Sequence, residues 1–96
     1  MNTNTVKISI YTEDKGDKYL PLVRQVVGRY ANGYTILRAE GVWMGTPERS
    51  LKIEIITDGD WVEIAEGCSQ ALRAVLCQEA VLFTAELVHM CSVERN

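Results

Sequence analysis

Two short stretches of the sequence, VKISIYT at 6–12 and LKIEIIT at 51–57, alternate apolar and polar residues. Alternation with a period of two is typical of a β-strand that is buried on one face. Each stretch is followed by a segment with apolar residues at helical spacing, and then by a second strand-like stretch. The sequence therefore predicts the element order βαββαβ.

The ends of both helices carry recognisable signals. Asp17 is predicted to cap the first helix, and Pro21 falls in its first turn, where no backbone donor is missed. Asp60 and Glu63 have the spacing of an N-cap and its N3 partner before the second helix. The predicted elements are strands at 6–12, 34–44, 51–57 and 80–90, a helix at 18–30, a second helix after Asp60 and a turn at 45–48.

The two halves of the chain resemble each other. VKISIYT lines up with LKIEIIT, and ILRAEGVWM at 36–44 lines up with LFTAELVHM at 82–90 at nearly the same offset. This indicates an internal βαβ repeat over 6–44 and 51–90. Two such halves predict a single α+β domain over 1–96: a ferredoxin-like βαββαβ sandwich with an antiparallel sheet of order 4-1-3-2 and two helices on one face.

Composition and charge exclude several classes of protein. With 47% hydrophobic and 24% charged residues, the chain has the composition of a soluble globular protein. A net charge of −3 argues against a nucleic-acid partner, because binding of that kind neutralises phosphates. No apolar run approaches the roughly 18 residues that cross a bilayer, and the N-terminus lacks a signal-peptide pattern. The sequence predicts a cytoplasmic protein without a membrane partner.

Patterns for catalysis, metals or cofactors are missing from the sequence. Cys68, Cys77 and Cys91 lack the close pairing of a zinc site, and we interpret all three as small hydrophobic residues in or near the core. His89 is the only histidine, and we expect a packed side chain that faces the helices. No glycine-rich phosphate-binding motif is present. The sequence predicts no metal and no cofactor.

One end of the predicted sheet collects polar residues. Right-handed crossovers bring the loop 12–18, the hairpin 45–50 and the junction 77–79 to this end. A site there could hold a small polar ligand or a partner's charged residue; the alternative is an ordinary solvated surface, which is the usual role of charged loops. The candidate ligand-binding residues are Asp14, Lys15, Trp43, Glu48, Arg49, Gln78 and Glu79.

The face of the sheet away from the helices is predicted to have a charged middle and apolar flanks. This favours a homo-oligomer that packs sheet to sheet or through an edge strand, the alternative being scattered surface hydrophobes. The same alternation along the second strand points Trp43 to the helices, where it is expected to close the core. The alternative is that Trp43 forms a platform on which a ligand stacks. The candidate interface residues are Ile36, Arg38, Val42, Met44, Ile56, Leu82, Glu86, Val88 and Met90.

The segments GYTILRAEGVWMGTPERSLKIEII and QEAVLFT resemble a group of small bacterial, phage and plasmid proteins whose function is not established. The resemblance covers about the last two thirds of the chain. It implies a ferredoxin-like fold close in topology to the PII-like signalling proteins. It does not imply their nucleotide sensing, because the long ligand loop between strands 2 and 3 is missing here. The residues that carry the resemblance are Gly41, Trp43, Gly45, Glu48, Ser50 and Gln78 to Val81.

Two hypotheses about function follow. The first is a non-enzymatic, homo-oligomeric binding or regulatory module encoded by a phage or other mobile element, for which a host protein is a candidate partner. The second is a small enzyme with an inter-subunit site formed by Glu48, Arg49 and Glu79.

Overall fold

A four-stranded antiparallel sheet forms the centre of the computed structural model, which describes residues 5–95. The strand order β2-β3-β1-β4 is the predicted order read from the other edge, and both helices pack against the same core. The predicted ferredoxin-like fold is therefore confirmed. The elements are β1 (Val6–Glu13), a 3-10 turn (Asp17–Tyr19), α1 (Leu20–Gly28), β2 (Thr35–Trp43), β3 (Thr46–Thr57), α2 (Trp61–Val75) and β4 (Leu82–Leu87).

The two central strands, β1 and β3, supply most of the sheet's share of the core. Their alternate residues are at most 4% exposed, as the sequence predicted, and each fully buried aliphatic side chain contributes about 1.5–3 kcal/mol. Three valines of α1 and four residues of α2 and its C-terminal end cover them from one side. The core residues are Val6, Ile8, Ile10, Leu51, Ile53 and Ile55 from the strands, and Val23, Val26, Val27, Ala65, Cys68, Leu72 and Leu76 from the helical side.

The helix starts differ in how they are capped. Asp60 caps α2 as predicted, since its Oδ1 accepts a hydrogen bond from the backbone N–H of Glu63 at 3.3 Å. Pro21 lies in the first turn of α1, also as predicted. The predicted cap at Asp17 is wrong, because this residue belongs to the 3-10 turn that precedes α1 and its carboxylate pairs with Arg38.

A two-residue turn at Met44 and Gly45 joins β2 to β3. Both residues have positive φ, 49° and 80°, which is the requirement of a type I′ hairpin turn. The predicted turn was placed too late, because β3 starts at Thr46 and includes Pro47. Pro47 stands opposite Val42, a position that the alternation of the ladder leaves without hydrogen bonds, so its missing N–H costs nothing.

The β2–β3 hairpin projects beyond the rest of the sheet. The pairing of β1 with β3 ends at Glu13 and Ser50, so residues 41–48 pair only with each other. We call these residues the β-arm. The described chain measures 45 × 25 × 22 Å, and an isolated two-stranded ribbon is only marginally stable in water.

The predicted side-chain directions in β2 are wrong by one residue. Ile36 pairs with the buried Ile53 and Arg38 pairs with Leu51, so both face the helices rather than the open face of the sheet. Val42 shares their side of β2. Charge predicts an open-face position for Arg38, but the outer half of the edge strand β2 is exposed on its helix side as well, and acidic side chains lie beside Arg38 there.

The same shift explains the error at Trp43. This side chain was predicted to close the core, but 67% of it is exposed and it shares the open side with Gly41. Met44 was predicted on the open face and lies in the turn. By contrast, Ile56 and Leu82 lie on the open face as predicted.

β4 is shorter than predicted. It covers 82–87 and keeps Glu86 on the open face, opposite Lys7. Val88 and Met90 therefore lie beyond the strand, although the backbone N–H of Val88 still donates to the carbonyl of Thr5 at 2.9 Å. His89 also lies beyond it and is exposed, so the prediction of a packed histidine is wrong.

The cysteines fall into two groups. Cys68 is buried in the core, as predicted, whereas Cys77 and Cys91 are exposed and the prediction for them is wrong. None of the helices in residues 5–95 combines the length and hydrophobicity that a bilayer crossing requires.

Candidate functional site

A groove of about 620 Å³ runs over the end of β1, between the β-arm and the loop that joins α2 to β4. We call it the arm groove. Residues 11–13 form its floor, the β-arm and Ser50 form one wall, and residues 77–82 form the other. The groove lies at the end of the sheet where the sequence predicted a site.

Strand pairing sets the wall formed by the β-arm. Gly41 pairs with Glu48, so both lie on the side of the hairpin that carries Trp43. A Cβ at Gly41 would lie 2.8 Å from the hydroxyl oxygen of Ser50, closer than real Cβ atoms approach. A glycine is therefore required for β2 and β3 to meet here without displacing Ser50.

The opposite wall begins where α2 ends. Leu76 is the C-cap residue of α2, and its backbone N–H donates to the carbonyl of Leu72 at 3.0 Å. Cys77 then takes a positive φ of 54° that turns the chain. The backbone N–H of Gln78 donates to the carbonyl of Arg73 at 3.0 Å, which fixes the start of the loop. The loop continues past Glu79 into β4, so the C-terminal end of α2 adjoins the groove.

The lining of the groove is acidic and aromatic. It includes three carboxylates, those of Glu13, Glu48 and Glu79, and no lysine, arginine or histidine among residues 5–95. Tyr11 and Trp43 contribute rings. Such a lining offers hydrogen-bond acceptors and negative charge, together with apolar surface.

A second polar cluster lies on the helix side of the same end. The Asp14 side chain is 3% exposed, and its Oδ2 lies 3.6 Å from Arg38 Nε and 3.8 Å from Arg49 Nη2. Its Oδ1 accepts a hydrogen bond from the Gly16 N–H at 2.9 Å, while Arg38 also pairs with Asp17. Both arginines are more than half exposed, so each pair contributes at most about 1 kcal/mol. The cluster fixes the loop after β1.

The structure separates the predicted site residues into two groups. Adjacent residues of a strand point to opposite faces, so Glu48 and Arg49 cannot share a site within one chain. Lys15 lines neither the groove nor the ion cluster. The groove contains Trp43, Glu48, Gln78 and Glu79, and the ion cluster contains Asp14 and Arg49.

Two polar or aromatic groove residues, Tyr11 and Glu13, are not among the predicted ligand-binding residues, although the loop 12–18 predicted at this end includes Glu13. Both stand on the open side of β1 by simple alternation, and Glu13 pairs with Ser50 at the base of the β-arm. The alternation in β1 therefore indicated the direction of both side chains. Because the turn was predicted too late in the sequence, the prediction did not show that the β-arm extends past the end of β1.

The middle of the open face is balanced in charge. Lys7 Nζ lies 3.6 Å from a carboxylate oxygen of Glu54 and of Glu86, and Lys52 Nζ lies 3.2 Å from Glu54. The hydrogen bond from Lys52 lowers the pKa of Glu54, and the same bond raises the pKa of Lys52. Lys52 Nζ also lies 5.8 Å from the centre of the Tyr11 ring. These lysines therefore have acidic or aromatic partners within the open face.

Within residues 5–95, no three side chains of His, Cys, Asp or Glu are placed to hold a metal ion together.

Comparison with known proteins identifies the fold. No protein family and no curated protein matches the sequence. Among solved structures, the chain is similar to CPII, a nitrogen regulatory PII-like protein from Thiomonas intermedia K12 that was solved with ADP, AMP and bicarbonate. The two chains are 12% identical over 94% of this chain and 96% of the other, with a TM-score of 0.63.

Two further structures are similar over most of both chains. A DUF3240 family protein from Shewanella baltica OS155 is 12% identical over 99% of this chain and 100% of its own, with a TM-score of 0.64. A proposed PII-like signalling protein from Thermus thermophilus is 25% identical over 92% of this chain and 90% of its own, with a TM-score of 0.56. The chain thus has the PII-like variant of the ferredoxin fold, which confirms the fold that the resemblance implied.

Proposed function

We propose that the chain is a non-enzymatic, homo-oligomeric binding or regulatory module whose β-arm and open sheet face contact a second copy. The observation that carries the proposal is the β-arm. Its residues 41–48 have no strand partner outside the hairpin among residues 5–95, yet Val42, Trp43 and Met44 are 68%, 67% and 88% exposed. A marginally stable ribbon with an apolar tip gains order when that tip is covered.

The open face of the sheet extends the apolar surface from the β-arm. Leu37, Ile56 and Leu82 are exposed on it and surround the charged middle formed by Lys7 and Glu54. Apolar surface on both the flanks of a sheet face and a projecting hairpin fits an interface between copies better than scattered hydrophobes do.

The likeness to PII-like proteins supports a regulatory or binding role over a catalytic one. The described residues place Arg49 on the other side of the sheet from Glu48 and Glu79, so the alternative enzyme hypothesis requires Arg49 from one subunit and the two glutamates from another. The mobile-element origin and the host-protein partner stay predictions of the sequence resemblance.

Hydrogen–deuterium exchange of the full chain tests the proposal. Amides of the β-arm are expected to exchange more slowly as protein concentration rises, because a second copy covers them. Amides of the β1–β3 pairing provide the control, since their protection within one chain does not depend on concentration. Amide exchange in the β-arm that is equally fast at low and high protein concentration would contradict the proposed interface.

A further inference from the structure

We infer that the outer edge of β2 pairs with the outer edge of β4 in a second copy, as antiparallel strands of one continuous sheet. The inference rests on the homo-oligomeric part of the proposed function and deepens it, because it names the strand of the second copy that β2 and the β-arm meet. Three observations carry it: two open strand edges, a third edge that is blocked, and a matched spacing of apolar residues.

The outer edge of β2 presents unpaired backbone groups. Trp43 and Thr46 flank a two-residue turn and therefore form a hydrogen-bonded pair, and such pairs alternate along the ladder. Every second residue from Ile36 to Val42 thus turns its N–H and C=O groups away from β3. No backbone hydrogen bond joins these groups to another segment of residues 5–95. Such a row of free donors and acceptors can pair with another strand.

The outer edge of β4 is open in the same way. The N–H of Val88 donates to the carbonyl of Thr5, the residue opposite it, so this pair is hydrogen-bonded. By alternation, every second residue from Phe83 to Leu87 turns its backbone groups away from β1. No strand lies beyond them in the part of the chain that the structure describes. β4 contains neither proline nor lysine, the residues that commonly protect an open edge.

The inner edge of the β-arm, which faces the arm groove, is blocked by contrast. The carbonyl of Arg49 accepts a hydrogen bond from the Asp14 N–H at 3.0 Å, so the backbone groups of Arg49 point to this edge. The next residue towards the turn that points there is Pro47, which has no N–H to donate. Proline at this position disfavours a strand that would add within the groove. The two outer edges are therefore the ones available to a second copy.

Apolar residues on the two outer edges have the same spacing in opposite directions, as antiparallel pairing requires. One register brings three apolar pairs together, and the β2 member of each is at least 43% exposed. The three pairs are Leu37 with Val88, Val42 with Phe83, and Trp43 with Leu82. The same register sets the outward-pointing backbone groups of the two strands opposite each other, for example those of Glu40 and Ala85. Side-chain pairing and backbone pairing therefore agree on one register.

Neighbouring registers fit less well. A shift by a single residue would set outward-pointing backbone groups against inward-pointing ones, so the strands can only move by two. One such shift places Glu86 opposite Leu37, and the other takes Leu82 past Trp43, the last residue of β2. In the favoured register Glu86 stands opposite Ala39, and no two like charges oppose each other.

The contact joins two different surfaces, because β2 and β4 are the opposite edges of the sheet. Each copy therefore provides β2 to one neighbour and β4 to another surface of the same kind, which is a head-to-tail arrangement. A contact of this type predicts cross-links between unlike positions and not between like ones.

Disulfide cross-linking of two variant chains tests the pairing. Both chains carry Cys77→Ser and Cys91→Ser, which remove the exposed thiols, and one also carries Glu40→Cys while the other carries Ala85→Cys. Opposite residues of a hydrogen-bonded pair have Cα atoms about 5.5 Å apart, within the range of a disulfide. After the chains are mixed and oxidised with diamide, the mixed dimer should be the main cross-linked product, measured by intact mass without reduction.

The matched control replaces Glu40→Cys with Thr35→Cys. Thr35 lies on the same edge at the other end of β2, about 17 Å from Glu40 at about 3.4 Å per residue, so the yield of mixed dimer should fall at least about tenfold. Equal yields would overturn the inferred register. Dimers of like chains as the main product would overturn the inference, because β2 or β4 would then pair with its own counterpart.

Residue-resolved hydrogen exchange on the unmodified chain gives an answer even if a variant fails to fold. The amides of Glu40, Ala85 and Leu87 point outward, so their exchange should slow at least about tenfold as protein concentration rises. The amide of Ala39 is already bonded within the hairpin and is the control.

The two proposals fail in different ways. An oligomer in light scattering, together with fast exchange of Ala85 and Leu87 at every concentration, would overturn the edge pairing and leave the proposed module intact. A monomer at every concentration would overturn both the edge pairing and the homo-oligomeric part of the proposed function.

Discussion

Cys68 and Cys77 have the same side chain but different exposure to solvent, because they lie at different places in the fold. Cys68 is fully buried, and burial raises the pKa of its thiol to about 11. Cys77 stands in the exposed turn after α2. The helical pattern predicted Cys68 correctly because it lies on the apolar stripe of α2, but it does not extend to residues beyond the helix end.

We therefore predict selective alkylation of the folded chain at neutral pH. Iodoacetamide should label Cys77 and Cys91 and leave Cys68 unmodified, because only a thiolate reacts and Cys68 is both protonated and inaccessible. Peptide mass mapping measures this. Labelling of Cys68 should appear in denaturant, and equally fast labelling in the folded chain would contradict the burial.

A second prediction at this scale concerns pH. The pKa of Glu54 is lowered in the folded chain by the hydrogen bond from Lys52, so its stabilising effect is present above the unfolded value of about 4.3 and is lost as pH falls through the folded value. Glu54→Gln should flatten the loss of stability in acid, measured by urea unfolding across pH. Glu40→Gln is the control on the helix side, and an unchanged acid slope in Glu54→Gln would contradict the pairing.

At the scale of elements, sequence alternation located the central strands correctly and failed in the edge strand β2. β1 and β3 are covered by helices on one side, so their buried positions must be apolar. The outer half of β2 has no such cover, and Arg38 faces the helix side because Asp14 and Asp17 provide partners there. These acidic partners belong to the loop after β1, which is distant in sequence from β2. A local pattern within β2 therefore cannot indicate them.

The packing of α1 against α2 gives a prediction for two glycines. A Cβ at Gly67 would lie 2.7 Å from a ring carbon of Tyr30, whereas one at Gly28 would meet no atom within 4 Å. Gly67→Ala should destabilise the fold by about 1–3 kcal/mol despite its better helix propensity. Gly28→Ala should stabilise it by about 0.4–1 kcal/mol. Chemical denaturation measures both, and a gain in stability for Gly67→Ala would contradict the close contact.

At the scale of the whole molecule, the position of the arm groove could be predicted in part. Topology alone brought Glu48 and Glu79 to one end of the sheet, and the structure places both on the groove. The length of the β-arm could not be predicted, because it depends on a turn at Met44, a residue that rarely takes positive φ. For the same reason, the contribution of residues 11–13 to the floor of the groove could not be predicted.

The interface proposed for the β-arm and open face predicts which surface residues control assembly. The double variant Trp43→Ser with Leu82→Ser removes apolar surface from the β-arm and the open face, and should dissociate the assembly. Val62→Ser is the control, since Val62 is an exposed apolar residue of α2 on the other side of the sheet. Sedimentation velocity measures both, and equal effects of the two variants would contradict the location of the interface.

The most direct measurement is the molar mass of the unmodified chain in solution, obtained by light scattering over a range of protein concentrations. The proposed interface predicts a mass of at least twice 10.8 kDa at high concentration, because the open face and the β-arm then lie against a second copy. A mass of 10.8 kDa at every concentration would contradict it.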